Sequence, residues 1–227
     1  MKINFKSKEF TIILLLFLVM SIGGNVYSIS RISYYKYNLG RESYAEIEEI
    51  RQRNESIMDI LNTSLDSGSI RNEEILKLYK NYDVIAGNIM NLWQQYAEYT
   101  HRSVSIFVKN IQSDKILEND IHGKMKEYIL STLTREMKNE QNKLLLEDKD
   151  LECFKEMEEI SERMYEYFNE FNETKLNGYT GENKEKKVIK NDYWIDMLNG
   201  IYDISNDYVN VEWNIEAEDQ LKVEEEE

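Results

Sequence analysis

The chain has 227 residues, contains no proline and carries a formal net charge of −15. A hydrophobic fraction of 41% is too high for a disordered chain, and a surface this acidic repels phosphate backbones, so no nucleic-acid partner is expected. A single cysteine, Cys153, excludes an intrachain disulfide and any CxxC-type metal or redox site. Because proline breaks helix interiors, its absence permits long helices, and we expect an all-α protein.

The N terminus combines a short basic tail, residues 1–9, with an uncharged stretch over residues 10–30. At about 1.5 Å per residue, a helix of that length spans roughly 30 Å, which is the thickness of bilayer hydrocarbon. Tyr27, Tyr34, Tyr35 and Tyr37 follow, as is typical of side chains at the headgroup level. The pattern predicts a transmembrane signal-anchor, with the lipid bilayer as a partner.

The alternative interpretation is a cleaved secretory signal, with cleavage after Ser28 or after Gly23, which would give a secreted protein. For the anchored form we expect a single-pass protein of the cell membrane. Arg31, Lys36 and Arg41 after the segment balance the three lysines before it, so the charge balance alone leaves both orientations open. Because short basic N-terminal tails usually stay in the cytosol, the body is expected on the extracytoplasmic side.

The run from Lys8 to Leu15 resembles the start of type IV pilin-like proteins, in which a processed apolar helix begins with Phe-Thr. That family has Gly before the Phe and Glu at the fifth position of the mature chain. Glu9 and Leu14 stand at those two places here. The residues on which cleavage and assembly depend are therefore missing, and the chain is not assigned to that family.

Two long helices are predicted after the anchor. Apolar residues spaced by three and four continue from Val26 to Leu65, with Gly40 inside the helix and a turn over residues 62–69. The second helix begins at Asn72 as N-cap and carries a stripe with a period near 3.5 residues as far as Ile111. A short turn between them predicts a coiled-coil-like antiparallel hairpin.

The remaining chain completes a predicted antiparallel bundle of four to five helices, with its core over residues 31–177. The third helix begins near Lys124 and includes Met137 and Leu144 on its inward side, and the fourth carries apolar residues from Leu151 to Phe171. Residues 178–190 are interpreted as a charged linker, 191–215 as a C-terminal helix and 216–227 as an acidic tail.

Few residues suggest a catalytic or metal-binding role. Glu98 and His101 have the Glu-x-x-His spacing by which helix bundles hold a metal, but a di-iron site needs that motif twice, so both are weak candidates only. Cys153 stands among acidic residues that raise a thiol pKa, and it is interpreted as a packing residue. No catalytic residue, cofactor or enzymatic activity is predicted.

Aromatic residues are abundant, and one cluster covers more than one face of its predicted helix, which suggests a contact surface: Tyr165, Tyr167, Phe168 and Phe171.

We therefore expect a membrane-anchored protein that acts through another protein or through self-association, as a structural or accessory component of the cell envelope. The alternative is an extracytoplasmic sensor-like or small-ligand-binding module. The organisation resembles the helical sensor modules of bacterial transmembrane receptors at the level of fold. A polar cluster between the helices would favour ligand binding, and a dry core would favour the interaction role.

Overall fold

The computed structural model describes residues 7–102 and 120–215. Within these ranges the chain forms six helices and two short strands, which confirms the predicted all-α class apart from one small sheet. The elements in chain order are α1 (Ser7–Ser67), β1 (Ser69–Arg71), α2 (Asn72–Arg102), α3 (Ile121–Lys138), β2 (Lys143–Leu145), α4 (Asp148–Thr174), α5 (Gly181–Lys190) and α6 (Tyr193–Asn206).

The chain divides into two compact units, residues 1–39 and 40–227. The first unit contains the N-terminal part of α1. The second, called the body below, contains the rest of α1 and every other element. As predicted, α1 continues through Gly40 without a break.

Inside the body, α1 and α2 run antiparallel. Side-chain hydrogen bonds pair residues whose numbers rise along α1 and fall along α2, which requires opposite helix directions. These bonds are Ser43 Oγ to Gln95 Oε1 (2.5 Å), Asn88 Nδ2 to Glu49 Oε2 (3.2 Å) and Asn81 Nδ2 to Ser56 Oγ (3.2 Å).

The turn between these two helices is shorter than predicted. α1 extends to Ser67, and Gly68, with φ of 66°, reverses the chain directly into β1. A positive φ is the conformation that favours glycine, so the turn depends on this residue type.

The two strands form an antiparallel pair in which Ile70 lies opposite Leu144. Leu144 was predicted to belong to the third helix, and that prediction is wrong because α3 ends at Lys138 and the chain turns through Glu140, whose φ is 53°. The seven-residue step from Met137 to Leu144 imitates a helical repeat, and three-residue strands are too short to show their own period. Met137, which was expected in the core, is 66% exposed.

Residues 178–190 are not a simple linker, because most of this segment forms α5. Val188 and Ile189 at its C-terminal end are buried, while Glu182, Lys186 and Lys190 are exposed. Lys184 Nζ contacts Glu48 Oε1 at 2.5 Å, which ties α5 to α1. Gly40 permits the same approach, since a Cβ there would lie 3.3 Å from Cγ2 of Ile189. The segment was interpreted as a linker because most of its residues are charged. Burial of Val188 and Ile189 is enough to hold it as a helix against the body.

The last helix, α6, covers less of the segment 191–215 than predicted. It ends at Asn206, and residues 211–215 form neither helix nor strand. Its apolar side faces the core, since Trp194, Leu198 and Ile201 are each at most 1% exposed.

Several predictions lie outside the described residues. They concern the second-helix stripe at Ser103, Phe107 and Ile111, residues 1–6 of the basic tail, and the acidic tail 216–227.

The packing of α4 on α6 is fixed by Gly200. A Cβ at this position would lie 2.0 Å from Cζ of Tyr167, which is closer than any packed side chain tolerates. The Tyr167 ring cannot turn away freely, because its hydroxyl donates a hydrogen bond to the Asp196 carbonyl at 2.9 Å. Glycine is therefore required in the interior of α6, where it would otherwise destabilise the helix.

We predict that Gly200→Ala lowers the free energy of unfolding by about 1–3 kcal/mol, the usual cost of overpacking. In a Tyr167→Ala background the same substitution should instead be neutral or stabilising by up to about 1 kcal/mol, because only the helix propensity of alanine remains. Urea denaturation of the wild type, the two single variants and the double variant, followed by circular dichroism, measures the effect of Gly200→Ala on the free energy of unfolding with and without the Tyr167 ring.

The matched control is Gly87→Ala in α2, where a Cβ would meet nothing within 4 Å. This change should stabilise the protein by about 0.5–1 kcal/mol. Equal destabilisation at Gly200 in the presence and absence of the Tyr167 ring would contradict the packing argument.

Candidate functional site

The first candidate site is the apolar surface of α1 in the first unit. Its large apolar side chains point away from the helix on every side and remain largely exposed, for example Phe10 at 57%, Phe17 at 69% and Met20 at 72%. Because ten consecutive residues from Phe10 to Val19 are all exposed, the surface covers the whole circumference of the helix rather than one stripe.

Water is a poor solvent for this surface. Twelve large apolar side chains between Phe10 and Val26 are exposed. At about 1.5–3 kcal/mol for burying each one, removing the surface from water is worth on the order of 20 kcal/mol. Within the described residues, one helix is long and apolar enough to cross a membrane, and none of its apolar window is buried.

Basic and aromatic side chains follow the apolar surface. Tyr27, Tyr34 and Tyr37 are 65%, 68% and 48% exposed, respectively. The Arg31 guanidinium lies over the Tyr27 ring, with Cζ 6.0 Å from the ring centroid. The exposed rings and the arginine can therefore meet a polar interface while the preceding residues stay in an apolar phase.

The second candidate site, called the acidic groove, lies in the body between α4 and the segment after α6. It has a volume of about 690 Å³, and the described residues that line it are Lys149, Glu152, Cys153, Glu156, Glu159, Asp207, Tyr208, Asn210, Val211, Glu212, Trp213, Asn214 and Ile215. Five carboxylates and one ammonium group face this space, so it attracts cations.

Hydrogen bonds fix the wall of the acidic groove. The Tyr208 hydroxyl donates to Glu159 Oε1 at 2.8 Å and accepts from Arg163 Nη1 at 3.2 Å, while Arg163 Nη2 also donates to Asp207 Oδ2 at 2.7 Å. Burial raises the pKa of Glu156, and the negative charges of Glu159 and Glu152 raise it further. The groove therefore holds negative charge that its own residues do not fully compensate.

The core of the body contains buried polar side chains. Asn54 on α1, which is 2% exposed, donates from Nδ2 to the Ser161 carbonyl of α4 at 2.7 Å. Because both groups satisfy each other inside the bundle, this contact fixes the packing of α1 on α4 and leaves no open ligand space there.

The predicted Glu98 and His101 pair gains no support as a metal site. Both side chains are exposed on α2. Among residues 7–102 and 120–215, no group of three or more His, Cys, Asp or Glu side chains is placed to hold a metal ion.

The predicted aromatic contact surface is largely part of the core. Phe168 and Phe171 are each 6% exposed, and Tyr167 packs its ring on both of them and binds Asp196. This burial corrects the prediction for Phe168 and Phe171. Tyr167 is half-buried, and its hydroxyl is held by the Asp196 carbonyl of α6, so α6 covers much of the face that was expected to be free. Tyr165, at 38% exposure, is the member of the cluster that stays available for contact.

His122 is a buried residue that no sequence pattern indicated. It is 4% exposed and lies beside a cavity of about 20 Å³, too small for an organic ligand, which Trp93 on α2 and Ile201 on α6 also line. Nε2 lies 3.5 Å from Ser205 Oγ, and the Ser205 hydroxyl donates to the Ile201 carbonyl at 2.8 Å. The Ser205 hydroxyl proton is therefore donated to the backbone rather than to His122, and Ser205 and His122 do not form an activated nucleophile.

Burial lowers the pKa of His122 to about 4, against a small opposing effect of the Asp120 carboxylate. That carboxylate is occupied at the start of α3, where it accepts from the Gly123 amide at 3.0 Å. Nδ1 has no hydrogen-bond partner among the described residues. The imidazole is therefore neutral at pH 7, and a proton on it would be buried without a full counter-charge.

Cys153 lies under the acidic groove and is 4% exposed. Burial raises the pKa of its thiol, and Asp150 and Glu152 raise it further, although a backbone hydrogen bond to Asn214 opposes them. The thiol pKa is raised, as the sequence predicted, but burial raises it more than the neighbouring charges do.

Comparison with known proteins identifies no relative of this chain: no family model, no curated protein and no solved structure matches it.

We predict that the body loses stability as the pH falls from 6.5 to 4 because of His122. The unfolded chain binds a proton below the ordinary histidine pKa of 6.5, whereas the folded chain binds it only near pH 4. Stability therefore rises with pH across this window, and the loss at pH 4 is about 3 kcal/mol. His122→Gln should remove this contribution, because glutamine does not titrate.

Urea denaturation of the full-length protein in detergent at pH 7 and pH 4 measures the effect. The control is His101→Gln, which removes the exposed histidine. The difference in the free energy of unfolding between pH 7 and pH 4 should then be the same as in the wild type. A wild-type pH difference retained in His122→Gln would show that carboxylates alone cause the acid sensitivity.

Proposed function

We propose that this protein is held in a membrane by the N-terminal part of α1 and that its acidic helical body acts by contact with another protein or a second copy of itself. The single observation that carries the proposal is the exposed apolar surface around the whole circumference of α1 between Phe10 and Val26. A surface of this size on all sides of a helix is removed from water completely only by an apolar phase.

The body fits a structural or accessory role at the cell envelope. Its cavity beside His122 is too small for a substrate, and Ser205 is engaged with the backbone. Exposed apolar residues on the body, such as Met90, Leu130 and Tyr165, supply places for protein contact. The extracytoplasmic location of the body belongs to the same proposal and rests on the short basic tail before the apolar segment.

Membrane fractionation tests the anchor. The wild type should remain in the pellet after washing with alkaline carbonate, whereas Leu16→Arg/Val19→Arg should appear in the supernatant. Each arginine at the centre of a membrane helix costs about 2.5–3.5 kcal/mol on insertion scales. The matched control is Met137→Arg/Leu145→Arg, which places two arginines at exposed positions of the body and should stay in the pellet.

N-terminal sequencing of the pelleted protein distinguishes the anchor from a cleaved signal. The anchor predicts a chain that begins with Met1. A soluble product that begins at Gly24 or at Ile29 would overturn the anchored form and leave a secreted helical protein.

A second candidate function is a helical module that binds a cationic ligand in the acidic groove. The observation that favours it is the groove itself, in which Tyr208 and Trp213 lie beside five carboxylates in a volume of ligand size. The Tyr208 ring already faces the Arg163 guanidinium, whose Cζ lies 5.4 Å from the ring centroid. The Trp213 ring and the carboxylates are therefore the groups that suit an amine, because the ring adds cation–π attraction to the charge.

Calorimetric titration with spermidine tests this second function. Glu152→Gln/Glu156→Gln should weaken binding at least tenfold, since each lost charge pair is worth about 1 kcal/mol or more near a protein surface. The control Glu170→Gln/Glu173→Gln removes the same charge from an exposed part of α4 outside the groove. Equal weakening in both variants would indicate attraction to net charge rather than a site.

A further inference from the structure

The apolar segment of α1 has two unlike sides. Ser21, Asn25 and Ser28 are spaced by four and three residues, so they share one side of the helix, which we call the polar side. The residue after each of these three lies about 100° further around the helix and is aliphatic. The aliphatic side consists of Ile22, Val26 and Ile29. All six residues are exposed, so a surrounding bilayer would meet hydrocarbon on one side and hydrogen-bonding groups on the other.

Asn25 is the residue of the polar side that lipid accommodates least. It lies six residues before Arg31, the first charged residue after the apolar segment, which places it about 9 Å deeper along the helix axis. Its side chain is too short to carry the amide back to water as a lysine or arginine side chain does. Among the residues that the structure describes, none forms a hydrogen bond with this carboxamide. In hydrocarbon the group therefore needs a partner from another protein chain.

The two serines of the polar side have an alternative. A serine hydroxyl in a helix can donate to the carbonyl four residues earlier, as Ser64 does to Ile60 at 2.7 Å. The serines therefore tolerate either lipid or a neighbouring helix. Asn25 is the group that favours the neighbour.

A second copy of this chain supplies a matching partner for Asn25. Copies inserted in the same direction place the same residue at the same depth, so the two carboxamides meet across a twofold axis along the membrane normal. A carboxamide is both donor and acceptor and therefore complements itself, whereas two groups of like charge would repel each other. Gly24 lies on the same side and has no side chain, which lets the two backbones approach closely.

We propose that two copies of this protein pair in the membrane through the polar side of α1, with their Asn25 carboxamides hydrogen-bonded to each other. This inference rests on the proposed membrane anchor and identifies a second copy as the partner of that segment. The acidic bodies oppose the pairing, but at physiological ionic strength charges more than about 8 Å apart are largely screened. The hydrogen bond inside the bilayer is not weakened by competing water.

Sedimentation equilibrium of the full-length protein in a density-matched detergent measures the dissociation constant of the pair. Asn25→Leu should raise this constant by about three- to tenfold, which is the usual contribution of a hydrogen bond between membrane helices. Leucine also favours the membrane, so the variant keeps its anchor. Asn25→Gln keeps the carboxamide and should stay close to the wild type.

The matched control is Ser30→Leu, which removes an exposed polar side chain about 140° around the helix from Asn25 and should leave the dissociation constant unchanged. A monomeric wild type, an unchanged constant in Asn25→Leu, or equal weakening by Ser30→Leu would overturn the pairing while the anchor stands. A wild type that stays in solution without detergent would overturn the anchor itself, so the two failures are distinguishable.

Disulfide crosslinking in phosphatidylcholine vesicles tests the geometry. A Cys153→Ala background removes the chain's only thiol, so each introduced cysteine is the single reactive position. Ser21→Cys and Ser28→Cys should form crosslinked dimers on oxidation, because equal positions face each other in a parallel pair. Ile22→Cys and Ile29→Cys point elsewhere and should remain monomeric. Equal yields at all four positions would indicate random collision and would overturn the pairing.

Discussion

Water cannot accommodate the apolar surface that surrounds α1 between Phe10 and Val26, and the rest of the molecule depends on how that surface is removed from it. The body shows the opposite arrangement. From Gly40 onward, α1 buries one side, including Ile47, Ile50 and Ile57, and leaves charged residues on the other. A single continuous helix therefore carries two kinds of surface, each suited to a different solvent.

Specific contacts rather than general hydrophobicity determine how the body packs. Asn54 binds the Ser161 carbonyl inside the bundle, Tyr99 on α2 donates to Asp192 Oδ2 at the start of α6, and Tyr128 on α3 donates to Asp150 Oδ1 on α4. Each contact joins two helices through a partly or fully buried polar group. Because such a group is costly when unpaired, the arrangement that satisfies all three is favoured over alternative packings of the same apolar stripes.

The sequence was sufficient for features that depend on periodicity over many residues. The stripes from Ile75 to Tyr99 and from Phe154 to Phe171 predicted long helices, and the structure buries most of both. Features that depend on few residues or on contacts distant in sequence could not be predicted. Ile70 pairs with Leu144 across more than seventy residues, and the burial of His122 depends on Ser205 and Trp93, which come from other helices. The aromatic cluster was misinterpreted because a pattern on one helix cannot show which neighbour covers it.

Cys153 gives the body an internal reporter. It is the chain's only thiol, and the segment containing Trp213 and Asn214 lines the space above it. Because Cys153 is 4% exposed, alkylation of its thiolate is slow while this segment lies on α4 and faster when it lifts, so the rate of labelling measures local opening of the C-terminal end without any engineered probe. The same shielding keeps two folded copies from becoming covalently crosslinked through sulfur, so any association between them relies on reversible contacts.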